Sequence, residues 1–296
     1  MTHRRQSLLA TLLLVAVTAV WGSTFVVVKD AIGRMPAMDF LFWRFGLATL
    51  AMLALRPQSV VHLGRTGWLR GALLGLALGV GYICQTIGLE HTPATVSGFI
   101  TGLFVVFTPL CAGVLLRQRV PGLAWVGVAL ATVGLGLIAL HGWQISAGEV
   151  LTLGCALAFA LQIVGLGQWA TQHSVFGLAI VQLGTTTLLC LPAAATEGFS
   201  APPDAGVWGA VVLTGLIATA AAFFIQTWAQ TILDPTRTAI VLTMEPVFAA
   251  IFGVAIGGDA FGPRTAIGCL CVLGAMLLVE LGPRHAAEGR LEHLEM

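Results

Sequence analysis

The chain has 296 residues, of which 57% are hydrophobic and 9% are charged, with a mean hydropathy of +0.94 and a net charge of +1. A soluble domain of this length carries about 25% charged residues, because it must cover its core with a solvated surface. The composition therefore excludes an ordinary soluble protein and predicts an all-α integral membrane protein. The near-neutral charge and the lack of a basic stripe also argue against a nucleic-acid partner.

Ten apolar segments are each long enough to cross a bilayer as a helix, which takes about 20 residues. Short connections that carry proline, glycine or charged residues separate them. The predicted spans are 8–28, 37–55, 67–89, 94–116, 122–140, 147–167, 175–195, 205–229, 236–256 and 262–281. Residues 283–296 follow as a tail to which we assign no function.

The distribution of lysine and arginine predicts the orientation, because cytoplasmic loops of membrane proteins are enriched in both. With the N-terminus inside, ten of the fourteen basic residues fall in cytoplasmic segments. Three others, Lys29, Arg34 and Arg264, lie outside or at that edge, and Arg44 lies within the second span. We therefore expect a multi-pass protein of the cell's inner membrane with both termini in the cytoplasm.

The sequence also contains an internal repeat, with residues 1–141 and 146–282 as its two units. Gly75-Leu76 recurs 140 residues later as Gly215-Leu216, Pro93 and Pro235 are 142 apart, and Arg44 matches Gln182 at an offset of 138. Five spans per unit is an odd number, so the second unit must enter the membrane from the opposite side. The pattern predicts two inverted five-helix repeats, an architecture typical of secondary transporters that open alternately to each face.

Two segments resemble a known family. Residues 21–25 (Trp-Gly-Ser-Thr-Phe), with Lys29 and Arg44-Phe45 after them, and residues 244–250 (Met-Glu-Pro-Val-Phe-Ala-Ala) are similar to the EamA-type transporters of the drug/metabolite transporter superfamily. The resemblance extends over residues 6–282. It implies ten spans and transport of amino acids, purines, drugs or other metabolites, mostly as export. The chain departs from the family pattern at residues 257–259, which read Gly-Gly-Asp where many members have Gly-Glu.

Charged residues inside a bilayer are costly and usually face a cavity or a partner. Glu245 is the carboxylate farthest inside a span, and Pro246 beside it frees a helix carbonyl, so the pair is a candidate for binding a cation, a proton or a substrate amine. Glu245 can equally be a structural group. Arg44 is a candidate for an anionic substrate group, although a structural tie between helices is favoured. Lys29 is a candidate gate residue or a side chain that reaches the membrane surface.

Polar and aromatic side chains at helical spacing are candidates for the wall of a midplane cavity. Such a wall suits a zwitterionic or weakly polar solute. The alternative interpretation is purely structural: these side chains form hydrogen bonds between helices. The predicted substrate-binding set, with Glu245, is Trp21, Thr24, Tyr82, Gln85, Thr101, Gln162, Gln226, Gln230 and Thr243.

The remaining motifs bear on the class of protein. A phosphate-binding loop of the Gly-Lys-Ser/Thr type is absent, so we expect no ATP cofactor. Six cysteines within apolar runs predict neither a metal site nor a disulfide. The leading hypothesis is a transporter that exports amino acids or related small molecules, as a monomer or a homodimer. The alternatives are export of drugs or purines, an intramembrane lipid-modifying enzyme, and a non-transporting receptor or scaffold.

Overall fold

The computed structural model describes residues 3–115, 117, 122–139, 146–196, 198–233, 238, 241–242 and 244–281. In these ranges the secondary structure is helical throughout, without strands. The α-helices are α1 (His3–Ile32), α2 (Ala37–Leu55), α3 (Gln58–Val61), α4 (Gly64–Glu90), α5 (Ala94–Gly102), α6 (Phe104–Leu115), α7 (Gly122–Ala139), α8 (Ala147–Trp169), α9 (Val175–Thr196), α10 (Ala205–Val212), α11 (Ala222–Ala229), α12 (Met244–Ala255) and α13 (Pro263–Leu281). A 3-10 turn, Ala170–Gln172, follows α8, and a π-helix, Leu213–Ala221, joins α10 to α11.

Seven helical segments in the described part are long and apolar enough to cross a membrane. They coincide with the first four predicted spans and with the sixth, seventh and eighth. Three shorter apolar helices, Trp125–Gly134, Met244–Ala255 and Pro263–Leu278, lie within the fifth, ninth and tenth predicted spans. The sequence and the structure therefore agree on a multi-pass helical membrane protein.

Local signals in the sequence set where several helices begin. Proline, which lacks an N–H group, precedes α2 and α5. Ser146 and Glu149 form a reciprocal capping box at the start of α8, and the Asp204 side chain accepts a hydrogen bond from Val207 N–H at the start of α10. These caps satisfy backbone donors that the helix itself leaves free.

Glycine-lined contacts hold the central helices together. Gly71, Gly75 and Gly79 lie on the face of α4 that packs against α9, and a Cβ added at Gly75 would lie 2.5 Å from the backbone oxygen of Gln182. The other large interfaces join α4 to α8, α2 to α9, α1 to α12, α5 to α12, and α7 to α13. Small residues allow the helix backbones to approach closely, which is a main source of packing energy in lipid.

Candidate functional site

A cavity lies among the central helices. Its wall comes from α1, α2, α4, α6, α8, α11 and α12, and it combines polar with apolar side chains. The polar side chains are those of Trp21, Thr24, Arg44, Tyr82, Gln85, Gln162, Gln226 and Glu245. The apolar side chains are those of Phe25, Val28, Leu78, Leu89, Phe104, Phe159, Ile163, Phe223 and Leu242.

The Arg44 guanidinium is 2% exposed and is held by groups from two other helices. Its Nε donates to Thr219 Oγ1 at 2.8 Å, and its Nη2 donates to the Tyr82 hydroxyl at 3.4 Å. The guanidinium carbon also lies 4.8 Å from the centre of the Tyr82 ring, which is a cation–π distance. These neutral partners orient Arg44, and no carboxylate of the described residues forms an ion pair with it.

The π-helix contributes to the same wall. Trp21 Nε1 donates to the carbonyl oxygen of Ala218 at 2.8 Å, and the Trp21 ring lies 5.4 Å from the ring of Phe223. Thr219, which receives the bond from Arg44, is the next residue of the π-helix. π-Helical turns are rare overall but are often found at functional sites. This segment fixes one cavity residue from α1, Trp21, and one from α2, Arg44.

Glu245 enters the cavity from the first turn of α12 and is 5% exposed. Two helices, α1 and α5, pack closely against the helix that carries Glu245. A Cβ added at Gly22 of α1 would lie 2.7 Å from the backbone nitrogen of Ala249, and one added at Gly98 of α5 would overlap the Ala249 side chain. Close packing of α12 between α1 and α5 therefore fixes the position of the carboxylate.

The glutamines of the cavity wall differ in the hydrogen bonds that their side-chain amides form. Gln85 donates to Thr101 Oγ1 at 3.2 Å, and Gln162 donates to Gln182 Oε1 at 3.2 Å. The Gln226 Oε1 atom is buried and has no hydrogen-bond partner among the described residues. Gln226 lines the cavity, and its buried amide oxygen is a polar group that the described residues leave without a hydrogen bond.

The structure brings together eight of the residues that the sequence singled out, namely the polar lining set above. Thr101 lies behind Gln85 and does not line the cavity. Gln230 also lies off the wall, where its Nε2 donates to the Ile163 carbonyl at 3.4 Å. Lys29 Nζ donates to the Thr92 carbonyl at 2.5 Å and so links α1 to the end of α4. Thr243 lies outside the described residues.

Sequence reasoning missed the apolar half of the wall and the Thr219 contact. Nearly every helix is apolar on all sides, so periodicity did not indicate which phenylalanines and leucines face inward. The one available signal was the spacing of Phe223 and Gln226, three residues apart on one helix face. Among the described residues, no group of three or more histidine, cysteine, aspartate or glutamate side chains is placed to hold a metal ion.

The fold and this cavity define a multi-pass membrane protein with a partly polar chamber among its helices. The model of the EamA-like transporter family matches the chain twice, at residues 8–140 and 146–281. The chain therefore belongs to the EamA-like transporter family.

Relatives in other organisms carry transporter names. A protein named an uncharacterized transporter from Archaeoglobus fulgidus is 31% identical over 277 residues, which cover 93% of this chain and 86% of the relative. The Escherichia coli inner membrane transporter YedA, also named as uncharacterized, is 26% identical over 91% of this chain and 90% of its own. The pseudopaline exporter CntI of Pseudomonas aeruginosa is 24% identical over 64% of this chain and 67% of the exporter.

A solved crystal structure has the same fold. It matches with a TM-score of 0.69 at 19% sequence identity and covers 94% of this chain and 98% of the other. These family and relative names indicate a transporter of small molecules rather than an enzyme.

Proposed function

We propose that the chain is a secondary transporter that exports amino acids or related small metabolites across the cytoplasmic membrane by alternating access. Two inverted five-helix repeats enclose its substrate cavity, and both termini lie in the cytoplasm. The observation that carries the proposal is the reciprocal packing of α2 against α9, the second helices of the two segments that match the family.

The contacts between α2 and α9 have the pattern of a two-fold axis. Thr49 and Thr187, which are 138 residues apart, have their hydroxyl oxygens 3.4 Å from each other. A Cβ added at Gly46 would lie 3.6 Å from Thr187 Cγ2, and one added at Gly184, again 138 residues on, would lie 3.5 Å from Thr49 Cγ2. As the residue number rises along α2, the number of its contact falls along α9, so the two equivalent helices are antiparallel.

The contacts next to this helix pair show the same two-fold relation between the repeats. Gly75 of α4 packs on the backbone of Gln182, and a Cβ added at Gly215 of the π-helix would lie 3.0 Å from the carbonyl oxygen of Arg44. Gly215 follows Gly75 by 140 residues, and Gln182 follows Arg44 by 138. Equivalent glycines therefore meet equivalent partners in the opposite repeat, which supports an inverted duplication.

Two helix pairs are placed to act as gates in this topology. On the proposed cytoplasmic side, Ala10 and Leu14 of α1 pack against Ala229, the last residue of α11, and Leu233 beyond it. On the proposed outer side, the end of α4 meets the start of α8, where a Cβ added at Gly148 would lie 2.8 Å from a backbone oxygen of α4. Opening one pair while the other stays closed exposes the cavity to one face at a time.

The names of two relatives support the proposed export and the proposed inner-membrane location. CntI is named as an exporter, and YedA as an inner membrane transporter. The basic residues, which concentrate in the segments proposed to be cytoplasmic, support the same orientation of the chain.

Counterflow in proteoliposomes tests the proposal. Vesicles that contain the purified protein are loaded with unlabelled amino acids, purines or quaternary amines, and entry of the radiolabelled solute is followed without nucleotide. We expect amino-acid counterflow that Glu245→Gln abolishes or uncouples, while the control Asp30→Asn, which neutralises an exposed carboxylate near the end of α1, retains it. Absence of counterflow for all three solute classes rejects transport, and turnover of vesicle lipid would favour an enzyme instead.

A further inference from the structure

A second pocket lies at one end of the helix bundle, apart from the central cavity. The end of α2, the short helix α3 and the start of α9 form it, at the side proposed to be cytoplasmic. Its polar lining comes from Arg56, Gln58, Ser59, His62 and Ser174, each of which can donate hydrogen bonds. None of its described lining residues is acidic. The pocket is therefore suited to an anion rather than to a cation.

Close packing of α3 on the start of α9 forms this pocket. A Cβ added at Gly177 of α9 would lie 2.7 Å from the Ser59 carbonyl oxygen and 2.8 Å from Leu63 Cδ1. The Ser174 hydroxyl accepts a hydrogen bond from the Gly177 N–H at 3.3 Å, which holds the start of α9 in place. Arg56 and α3 belong to the first family segment and Ser174 to the second. A ligand in the pocket therefore contacts both halves of the chain.

The Arg56 guanidinium is oriented without an acidic partner. It lies 5.3 Å from the centre of the Phe176 ring of α9, which is a cation–π distance. The ion pairs of the described residues involve Arg34 and His91 as the basic partners, and Arg56 takes part in none of them. Its planar set of N–H donors matches two oxygens of a phosphate group. Arg56 is thus the residue best placed to bind a phosphate.

The surface around the pocket is also basic. Arg65 is exposed, and Arg70 donates through Nη1 to Gln172 Oε1 at 2.5 Å and lies 3.0 Å from His173 Nε2, partners that carry no negative charge. Residues 40–89 and 150–196, which include both helix connections at this end, contain no aspartate or glutamate. Nothing within these segments offsets the positive charge, so anions are attracted to the whole face.

Exposed apolar side chains flank the pocket on the membrane side. Leu55 lines the pocket and is 72% exposed, and Leu50, earlier on the same helix, is 65% exposed. Trp68 is half-exposed, and its Nε1 donates to the Val60 carbonyl at 3.2 Å, a position typical of the aromatic belt at the membrane surface. The pocket therefore lies where hydrocarbon meets the headgroups, and a phospholipid can contact its polar and apolar parts together.

We propose that this pocket binds the phosphodiester headgroup of an anionic phospholipid, whose acyl chains lie along Leu50 and Leu55. Arg56 pairs with the phosphate oxygens, and Gln58 and Ser174 donate to the remaining headgroup oxygens. Basic pockets beside transmembrane helices bind such headgroups in other membrane proteins. A zwitterionic lipid brings the same phosphate together with a cation, which the surrounding arginines repel. The ligand joins the two repeats at one end and is distinct from any solute in the central cavity.

Lipid binding to the purified full chain in a neutral detergent tests this without reference to flux. The probes are phosphatidylglycerol, phosphatidylcholine with the same acyl chains, and inorganic phosphate. Binding is titrated as a ligand-dependent rise in the thermal unfolding midpoint. One arginine at a membrane surface changes binding to anionic lipid by about fivefold, so we expect phosphatidylglycerol to bind tighter than phosphatidylcholine by about that factor or more. Inorganic phosphate, which lacks the acyl chains, should have little effect.

Variants of single residues locate the site. Arg56→Gln should weaken phosphatidylglycerol by about fivefold or more, and Arg56→Lys, which keeps the charge but loses the planar donors, should weaken it less. Arg5→Gln removes the same charge from an exposed position near the start of α1, outside the pocket, and should bind as the wild type does. Gln58→Ala removes a donor and no charge; it should weaken binding and serves if Arg56→Gln does not fold.

Three results would overturn the lipid site. Equal binding of the two lipids shows that the pocket does not select a net negative headgroup. Equal weakening by Arg56→Gln and Arg5→Gln shows a general attraction to basic residues rather than a site. A rise with inorganic phosphate as large as that with phosphatidylglycerol assigns the pocket to a small anion instead. Because none of these measurements involves solute movement, failure of the lipid site leaves the proposed transport function untouched, and the reverse also holds.

Discussion

Gly22 lies where a methyl group is least tolerated, and Gly22→Ala is the sharpest test of how α12 is positioned. The added Cβ would lie 2.5 Å from Phe248 Cβ, 2.7 Å from the Ala249 nitrogen and 2.9 Å from the Phe248 carbonyl carbon. Two of these three atoms are backbone, so a change of rotamer cannot relieve the overlap. The helix itself must move away from α1, and Glu245 moves with it.

The size of the effect follows from two opposing contributions. Overpacking of a well-filled contact destabilises a protein by about 1–3 kcal/mol. Replacing glycine by alanine inside a helix contributes up to about 1 kcal/mol in the other direction. The net expectation for Gly22→Ala is a loss of up to about 2 kcal/mol in unfolding free energy, together with a loss of counterflow out of proportion to that change.

Gly209→Ala is the matched control, because no atom lies within 4 Å of a Cβ built at that position in α10. Gly209→Ala should gain stability from the higher helix propensity of alanine, without a cost from overpacking, and should leave transport unchanged. Unfolding of both variants is followed by titration with a denaturing detergent, and transport by counterflow. If Gly22→Ala matches Gly209→Ala in both assays, the close packing of α1 on α12 does not position the carboxylate.

Three further predictions concern single hydrogen bonds. Asp259 accepts the Thr95 N–H at 2.7 Å and so caps α5 from a distant loop; Asp259→Ala should lower the unfolding free energy by about 1 kcal/mol in the same titration. Trp21→Phe removes the donor to the π-helix carbonyl and should lower amino-acid counterflow while leaving the fold intact, as judged by circular dichroism. The hydrogen bond from Val207 N–H, more than the Arg34 guanidinium, holds the pKa of Asp204 below its usual value of 3.8. Asp204 therefore stabilises the fold above that pH and loses its effect as pH falls through the lowered pKa, so the stability difference between wild type and Asp204→Asn should shrink in acid.

Much of the fold was predictable because the bilayer restricts it. A spanning segment must satisfy its backbone internally, so long apolar runs indicate helices with little ambiguity. The eighth predicted span, 205–229, coincides with the helical segment Ala205–Ala229. What hydropathy does not report is the backbone hydrogen-bond register inside that segment, and the π-helix Leu213–Ala221 was therefore not predicted.

The charged part of the candidate site was predictable for a similar reason. Glu245 and Arg44 stand out in apolar sequence because each is expensive to bury. Their partners did not stand out. Thr219 is one of many threonines, and it meets Arg44 across 175 residues of sequence. Gln230 and Gln226 share a helix face, yet the wall includes only Gln226. Gln230 lies one turn farther along, just past the end of α11, where its amide donates to the Ile163 carbonyl.

The two halves of the chain match closely where their backbones meet and differ where side chains line the cavity. Gly46 and Gly184, and Thr49 and Thr187, keep the same residue type at an offset of 138. Arg44, by contrast, corresponds to Gln182, and the position 142 residues before Glu245 is Leu103, an apolar residue. A second arginine at Gln182 or a second glutamate at Leu103, both buried, would add a like charge to the protein interior, where like charges repel each other strongly. Divergence at these two positions leaves one charge of each sign, Arg44 and Glu245, in the cavity wall.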